Sequence, residues 1–226
     1  MDGCARLRCC AAHFFCMVKE AYKFGAPPLL LGLGALPFQW YALGGILIFL
    51  GSFVFYFFRD PDRTPPDDGD AVVSPADGRV VVITEEPFEG MPGRRISVFL
   101  SVWDVHVNRT PFGGTVQKVV YKPGKFFAAM RARASEENEQ NVFYLETDRG
   151  PLVFKQIAGW IARRVVSWKE PGSTVRTGER IGMIRFGSRM DVWLPLDAEI
   201  VAKRGQFVSA GKSVLARWPK KAGESS

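Results

Sequence analysis

A mainly β domain (α+β) behind a hydrophobic helical hairpin is the fold class this sequence predicts, on three observations. From Gly25 to Phe58 no Asp, Glu, Lys, Arg or His occurs. From Ala71 onward short β-branched and aromatic runs recur between Gly, Pro and Asp clusters, which is the rhythm of strands and turns. The chain has 226 residues with 47% hydrophobic content, room for one ordinary domain besides a membrane segment and too apolar for a disordered or fibrous chain.

Residues 1–24 form an N-terminal segment that holds all four cysteines, Cys4, Cys9, Cys10 and Cys16. The domain beyond therefore has no thiol to oxidise or staple. Cys9 and Cys10 are adjacent, which spoils the spacing of a zinc site with His13, and no metal is expected. Met17 is an alternative start that would remove every cysteine.

Residues 25–58 are the hairpin. As one helix they would run about 51 Å, against a hydrocarbon core of about 30 Å. Pro27, Pro28 and the stretch Pro37-Phe38-Gln39-Trp40 instead divide them into two short helices with a turn near 37–40. Lys19 and Lys23 precede the segment and Arg59 and Arg63 follow it, which places both ends, and the domain behind them, on the cytoplasmic side of the cell membrane. A cleaved signal peptide fits poorly, because the run starts late, is too long and lacks a small-residue cleavage site.

Residues 59–70, with Arg59-Asp60-Pro61-Asp62-Arg63-Thr64-Pro65-Pro66, cannot continue a helix and form a linker. Residues 71–226 are the β-rich domain, with strands expected over 79–84, 95–102, 114–121, 141–147, 152–157, 163–168, 180–185 and 190–194 and a helix over 126–134. Gly172, Gly178-Glu179 and Gly182, followed by Lys203-Arg204-Gly205-Gln206 and Ala210-Gly211, give the later part a barrel-sandwich rhythm resembling biotinyl and lipoyl carriers. No Met-Lys pair stands on a hairpin, so the carrier function itself lacks its modified residue. The net charge is +7 and lies mostly beyond Phe58. Beside a membrane segment such a surface suits anionic headgroups, and patterns that read bases are missing, so no nucleic acid is expected as a partner.

Three local features could carry chemistry. His106 is the single imidazole of the domain and the one candidate for neutral-pH proton transfer; taken alone it reads equally as a structural histidine. Asp77, in Ser74-Pro75-Ala76-Asp77-Gly78, is also ordinary turn chemistry. Gly187-Ser188, in Phe186-Gly187-Ser188-Arg189, is by itself a tight turn. With no Gly-x-Ser-x-Gly elbow and no second histidine, a hydrolase triad is not supported.

Taken in order, these motifs together resemble the phosphatidylserine decarboxylases of the short bacterial and archaeal type over nearly the full chain. The matching features are the hairpin, its exit Phe58-Arg59-Asp60-Pro61, Ser74 to Gly78, Asp104-Val105-His106-Val107-Asn108-Arg109, Glu137-Asn138-Glu139-Gln140-Asn141 and Phe186 to Arg189. The resemblance implies a proenzyme, a carboxy-lyase zymogen that cuts itself between Gly187 and Ser188. Ser188 would become a pyruvoyl group, and phosphatidylserine would be decarboxylated to phosphatidylethanolamine through a Schiff base. It implies a β chain of residues 1–187 and an α chain of residues 188–226 that stay together as a heterodimer. A phospholipid substrate in the membrane follows, while a homo-oligomer is left open. Catalytic roles fall on Ser188, His106 and Asp77, and substrate contacts on Arg109 and Asn138. Because this chemistry lies inside the β domain, the domain without residues 1–58 is expected to cut itself.

Longer family members carry a second histidine where this chain has Arg109. A guanidinium is not a general base near neutral pH, so either His106 serves both self-cleavage and turnover or Arg109 binds the substrate phosphate or carboxylate. The alternatives are a decarboxylase of an archaeal-type serine lipid and a non-enzymatic, membrane-tethered, carrier-like module.

Overall fold

Two glycine-lined helices emerge first. The structure, a computed structural model, describes residues 17–127, 134–160, 164–185 and 187–219. The cysteines, His13, Phe186 and most of the helical candidate over 126–134 lie outside the described residues. Helix α1 (Lys19–Ala35) and helix α2 (Tyr41–Phe57) are joined by a short 3₁₀ turn at Leu36–Phe38. The first helix begins ahead of the apolar run, and it carries Pro27 and Pro28 inside it. Gly25 and Gly32 face Gly51 and Gly44, so the helix backbones approach closely: a Cβ on Gly32 would lie 2.9 Å from the Gly44 carbonyl oxygen. Each helix has 17 residues, about 26 Å at the α-helical rise. Among the described residues no helix is long and apolar enough to cross a membrane.

The domain is built from fourteen strands among the described residues. In chain order they are β1 (Ala71–Val73), β2 (Gly78–Glu85), β3 (Arg94–Leu100), β4 (Val107–Arg109), β5 (Gly114–Lys122), β6 (Gln140–Thr147), β7 (Gly150–Ile157), β8 (Val165–Ser167), β9 (Thr174–Val175), β10 (Arg180–Ile184), β11 (Ser188–Leu194), β12 (Glu199–Ile200), β13 (Phe207–Val208) and β14 (Val214–Arg217), with a single helical turn α3 (Ala134–Glu137) before β6. This is the expected mainly β domain behind a helical hairpin. An eight-stranded antiparallel sheet runs β13-β2-β3-β11-β7-β6-β5-β9, and two three-stranded sheets run β4-β10-β8 and β1-β14-β12.

The core explains the alternation. On β11, Met190, Val192 and Leu194 enter the main core with Ile96 and Val98 of β3 and Leu152 and Phe154 of β7. The opposite face of β11 holds Arg189, Asp191 and Trp193, equally buried. A smaller cluster joins Ala21, Phe57 and Phe58 of the hairpin to Val105, Val107 and Met183. It anchors the hairpin base on β4 and β10.

Candidate active site

The chain changes sheets at the Gly187-Ser188 bond. β10 belongs to the three-stranded sheet, β11 to the centre of the eight-stranded one, and only residues 185–187 separate them. Gly187 makes this corner with φ +45°, and nothing lies within 4 Å of where a Cβ would stand. Its glycine is thus required by conformation, since L side chains resist the left-handed region. Ser188 opens β11, is fully buried, and its Oγ has no hydrogen-bond partner among the described residues.

Ser188 pairs with Leu100, the last residue of β3. On the far side of β3, Gly78 presses against the same point: with φ +141°, a Cβ there would stand 2.0 Å from the Phe99 carbonyl oxygen and 3.3 Å from Leu100 Cα. Asp77, just before Gly78, therefore lies at the same sheet end as Ser188. Its Oδ1 accepts the Ala210 N–H at 2.7 Å and its Oδ2 accepts from Arg63 at 2.8 Å. Burial pushes the Asp77 carboxyl above its ordinary value, outweighing the Ala210 N–H and Arg63, which both pull it down.

His106 follows a turn that begins as β3 ends. The Ser101 N–H donates to the Asp104 carboxylate at 2.7 Å, and the Asp104 carbonyl lies 2.8 Å from His106 Nδ1. A carbonyl only accepts, so Nδ1 carries the proton and Nε2 keeps its lone pair. That Nε2 is buried without a partner among the described residues. Phe57 of α2 lies on the imidazole with ring centroids 4.1 Å apart. Burial holds the His106 pKa at about 4, with Arg59 pulling the same way and the Asp104 carbonyl opposing. The Ile184 N–H donates to the His106 carbonyl at 3.3 Å, tying the imidazole's strand to the one that leads into Gly187.

This end of the sheets thus carries a buried hydroxyl, an imidazole with a bare nitrogen and a buried carboxyl. Such a set can turn an amide into an ester by hydroxyl attack. A family model described as phosphatidylserine decarboxylase matches residues 50–216. The chain belongs to the phosphatidylserine decarboxylase family. It is 54% identical over 171 residues to a protein of Solibacter usitatus named phosphatidylserine decarboxylase proenzyme, covering 76% of this chain and 81% of that one. Proteins with the same name from Salinibacter ruber (50% identity, 79% of each chain) and Magnetococcus marinus (42% identity, 89% of this chain and 94% of that one) extend the similarity along the sequence.

Within this member of the decarboxylase family, the two residues expected at the substrate are held by groups of the chain itself. Asn138 accepts the Phe127 N–H at 2.9 Å and donates both its N–H bonds, to the Phe127 and Ala158 carbonyls at 2.8 and 2.7 Å. It clasps backbone, with both of its donors taken. Arg109 donates to Asp60, to the Pro61 carbonyl and to the Gly178 carbonyl at 3.0–3.1 Å. It fastens the linker to β4, and it borders a basic cavity of about 740 Å³ with Arg63, Lys169, Arg176 and Arg180. Asp77 and His106 have no hydrogen bond to each other among those described; the Asp104 carbonyl orients the imidazole instead.

Sequence reasoning missed Phe57, which packs on His106, and a run of buried amides, Asn108, Gln156 and Asn141. A signal for one of them was present: in Leu152-x-Phe154-x-Gln156 a polar residue occupies the core-facing position of an alternating strand.

Proposed function

We propose that this chain is a phosphatidylserine decarboxylase proenzyme that cuts itself between Gly187 and Ser188 and then converts phosphatidylserine to phosphatidylethanolamine as a pyruvoyl-dependent carboxy-lyase. The observation that carries this reading is the buried Ser188 hydroxyl, without a hydrogen-bond partner among the described residues, behind a left-handed glycine at a sheet switch. A serine so placed is costly to a merely structural turn, because an unpaired buried hydroxyl loses its water for nothing.

In self-cleavage, Ser188 Oγ bonds to the Gly187 carbonyl carbon while its proton passes to His106 Nε2. The C–N bond then breaks, the amine nitrogen takes the proton, and Gly187 is held as an ester. Loss of the Ser188 α-proton with rupture of its Cβ–O bond frees the Gly187 carboxylate, and water releases ammonia from the remaining dehydroalanine. The pyruvoyl group so formed supplies a carbonyl for the substrate amine and an electron sink for the departing carbon dioxide. His106 Nε2, bare near pH 7, takes the proton that the substrate ammonium gives up as it condenses and returns it to the α-carbon after carbon dioxide leaves. Asp77, kept at the same sheet end by Arg63 and Ala210, assists self-cleavage. The hairpin holds the domain at the cytoplasmic face of the cell membrane, where the lipid substrate lies.

Intact mass of the purified protein tests this. The expected products are residues 1–187 and a chain from position 188 whose N-terminus lacks an amine, with carbon dioxide released from serine-headgroup vesicles. A single uncut mass with full activity overturns the assignment.

A further inference from the structure

The face of β11 that carries Ser188 also meets a chain of buried amides. Leu152, Phe154 and Ala158 enter the main core, and Gln156 shares their parity and is fully buried. Gln156 is the register partner of Met190 on β11 and of Asn141 on β6. Ser188 is two residues from Met190, hence on the same face and diagonal to Gln156.

The amides have a direction. Gln156 Nε2 donates to Asn108 Oδ1 at 2.9 Å and reaches the Val166 carbonyl at 3.4 Å, while Gln156 Oε1 accepts from Asn141 Nδ2 at 3.0 Å. A carbonyl accepts only, so Val166 fixes which end of Gln156 is nitrogen, and Asn108 must then turn its oxygen to Gln156 and its NH₂ away. β10 makes room for this with Gly182, where a Cβ would stand 2.1 Å from the Val166 oxygen and 3.0 Å from Gln156 Nε2. At the end of the run, Asn108 Nδ2 is buried with no hydrogen-bond partner among the described residues. Asn108 is two residues from His106 and pairs with Gly182 on the strand that leads to Gly187. An oriented donor left unpaired in the core awaits an acceptor that forms later.

We propose that Asn108 is a catalytic residue of self-cleavage, its Nδ2 donating to the Gly187 carbonyl oxygen as that oxygen becomes an oxyanion, with Gln156 and Asn141 as positioning residues. The role rests on the self-cleavage reading. When Ser188 Oγ bonds to the Gly187 carbon, its proton goes to His106 Nε2 and the carbonyl π pair goes to the oxygen, which then accepts from Asn108 Nδ2. When the tetrahedral centre collapses, the C–N bond breaks and the nitrogen takes that proton. Such a donor is worth roughly 10²–10³ in rate.

The test follows conversion of full-length uncut chain to cut chain on denaturing gels, with the melting temperature of each variant. Asn108→Leu removes the donor and Asn108→Asp replaces it with a repelling oxygen at the same shape. Both are expected to slow cutting by roughly 10²-fold or more, with Asn108→Leu melting close to wild type, because the unpaired donor it removes offsets the Gln156 hydrogen bond it breaks. Gln156→Glu offers only oxygen to Asn108, turns that amide around and slows cutting similarly; combined with Asn108→Leu it adds no further slowing, whereas independent structural damage would add. Wild-type cutting rates in Asn108→Leu or Asn108→Asp overturn the role of Asn108 while leaving self-cleavage intact. A wild-type chain that never cuts at 187/188 overturns the self-cleavage reading, and this role with it.

Discussion

Burial makes His106 neutral, and neutrality has a measurable cost. With its folded pKa near 4 and an ordinary value of 6.5, the unfolded chain takes up the proton first as pH falls. His106 therefore leaves stability unchanged above about pH 6.5 and removes it progressively down to about pH 4, by up to about 3 kcal/mol. Asp77, pushed up by burial, acts in the opposite sense, so a difference is needed. Urea unfolding of the uncut Ser188→Ala chain, with and without His106→Gln, should show the acid-side loss shrinking in the histidine variant. Ser188→Ala itself should remain one uncut, inactive chain on a denaturing gel, since no hydroxyl remains to attack. At Gly187, φ +45° penalises a Cβ by about 1–2 kcal/mol. Gly187→Ala is expected to shift the carbonyl out of line and slow cutting at least about tenfold, read from the same gel.

At the scale of elements, the hairpin does more than tether. The last turn of α2 holds the turn that carries His106: Phe53 meets Trp103 edge-on at 5.7 Å, the Tyr56 hydroxyl donates to the Trp103 carbonyl at 3.2 Å, and Arg59 donates to the same carbonyl at 2.6 Å. Phe57 then covers the imidazole. A domain lacking residues 1–58, expected still to cut itself, would lose these contacts, leaving its His106 wet and its turn unheld. Such a truncation, and Phe57→Ala in the full chain, should cut more slowly than wild type, while Phe57→Leu, which keeps the cover, should cut nearly normally. Below the hairpin, the Asp60–Arg109 pair is buried at 3.1 Å, with side chains 5% and 7% exposed. Asp60→Ala would leave the guanidinium buried and short of its anion, at about 3–5 kcal/mol, visible as a lowered urea midpoint.

For the whole molecule, the proposed cut falls where the chains cannot part. β11 lies between β3 and β7, β13 edges the same sheet beside β2, and β14 lies between β1 and β12, so residues from 188 onward supply an inner strand to each of these two sheets. After cutting, both fragments should elute together in size-exclusion chromatography and separate only in denaturant. The opposite end of the molecule is exposed and aromatic. Phe38, Trp40 and Phe49 are 72%, 62% and 71% exposed at the hairpin tip and flank, which suits aromatic side chains at a membrane interface. Replacing all three by Ser should abolish flotation with phosphatidylserine vesicles yet leave self-cleavage unchanged, because none of them touches the hairpin base.

The sequence by itself determined the β-rich domain and the hairpin with its turn near residue 38, because each is written locally, in alternation and in a charge-free run; Gly187-Ser188, locally a tight turn, stood out only through wording shared with a family. Wording shared with a family also pointed to His106 and Asp77. Tertiary structure alone decided which partner each polar group has. Arg109 and Asn138 look free on paper, yet one pairs with Asp60, 49 residues away, and the other clasps the Ala158 carbonyl, 20 residues away. Phe57 looks like one more membrane residue, yet it roofs the imidazole. Asn108 and Gln156 meet only because two sheets fold face to face. Periodicity reports which side of a strand a residue faces, but what stands opposite, and whether a buried hydrogen bond is made or left open, depends on register and packing between segments far apart in the chain.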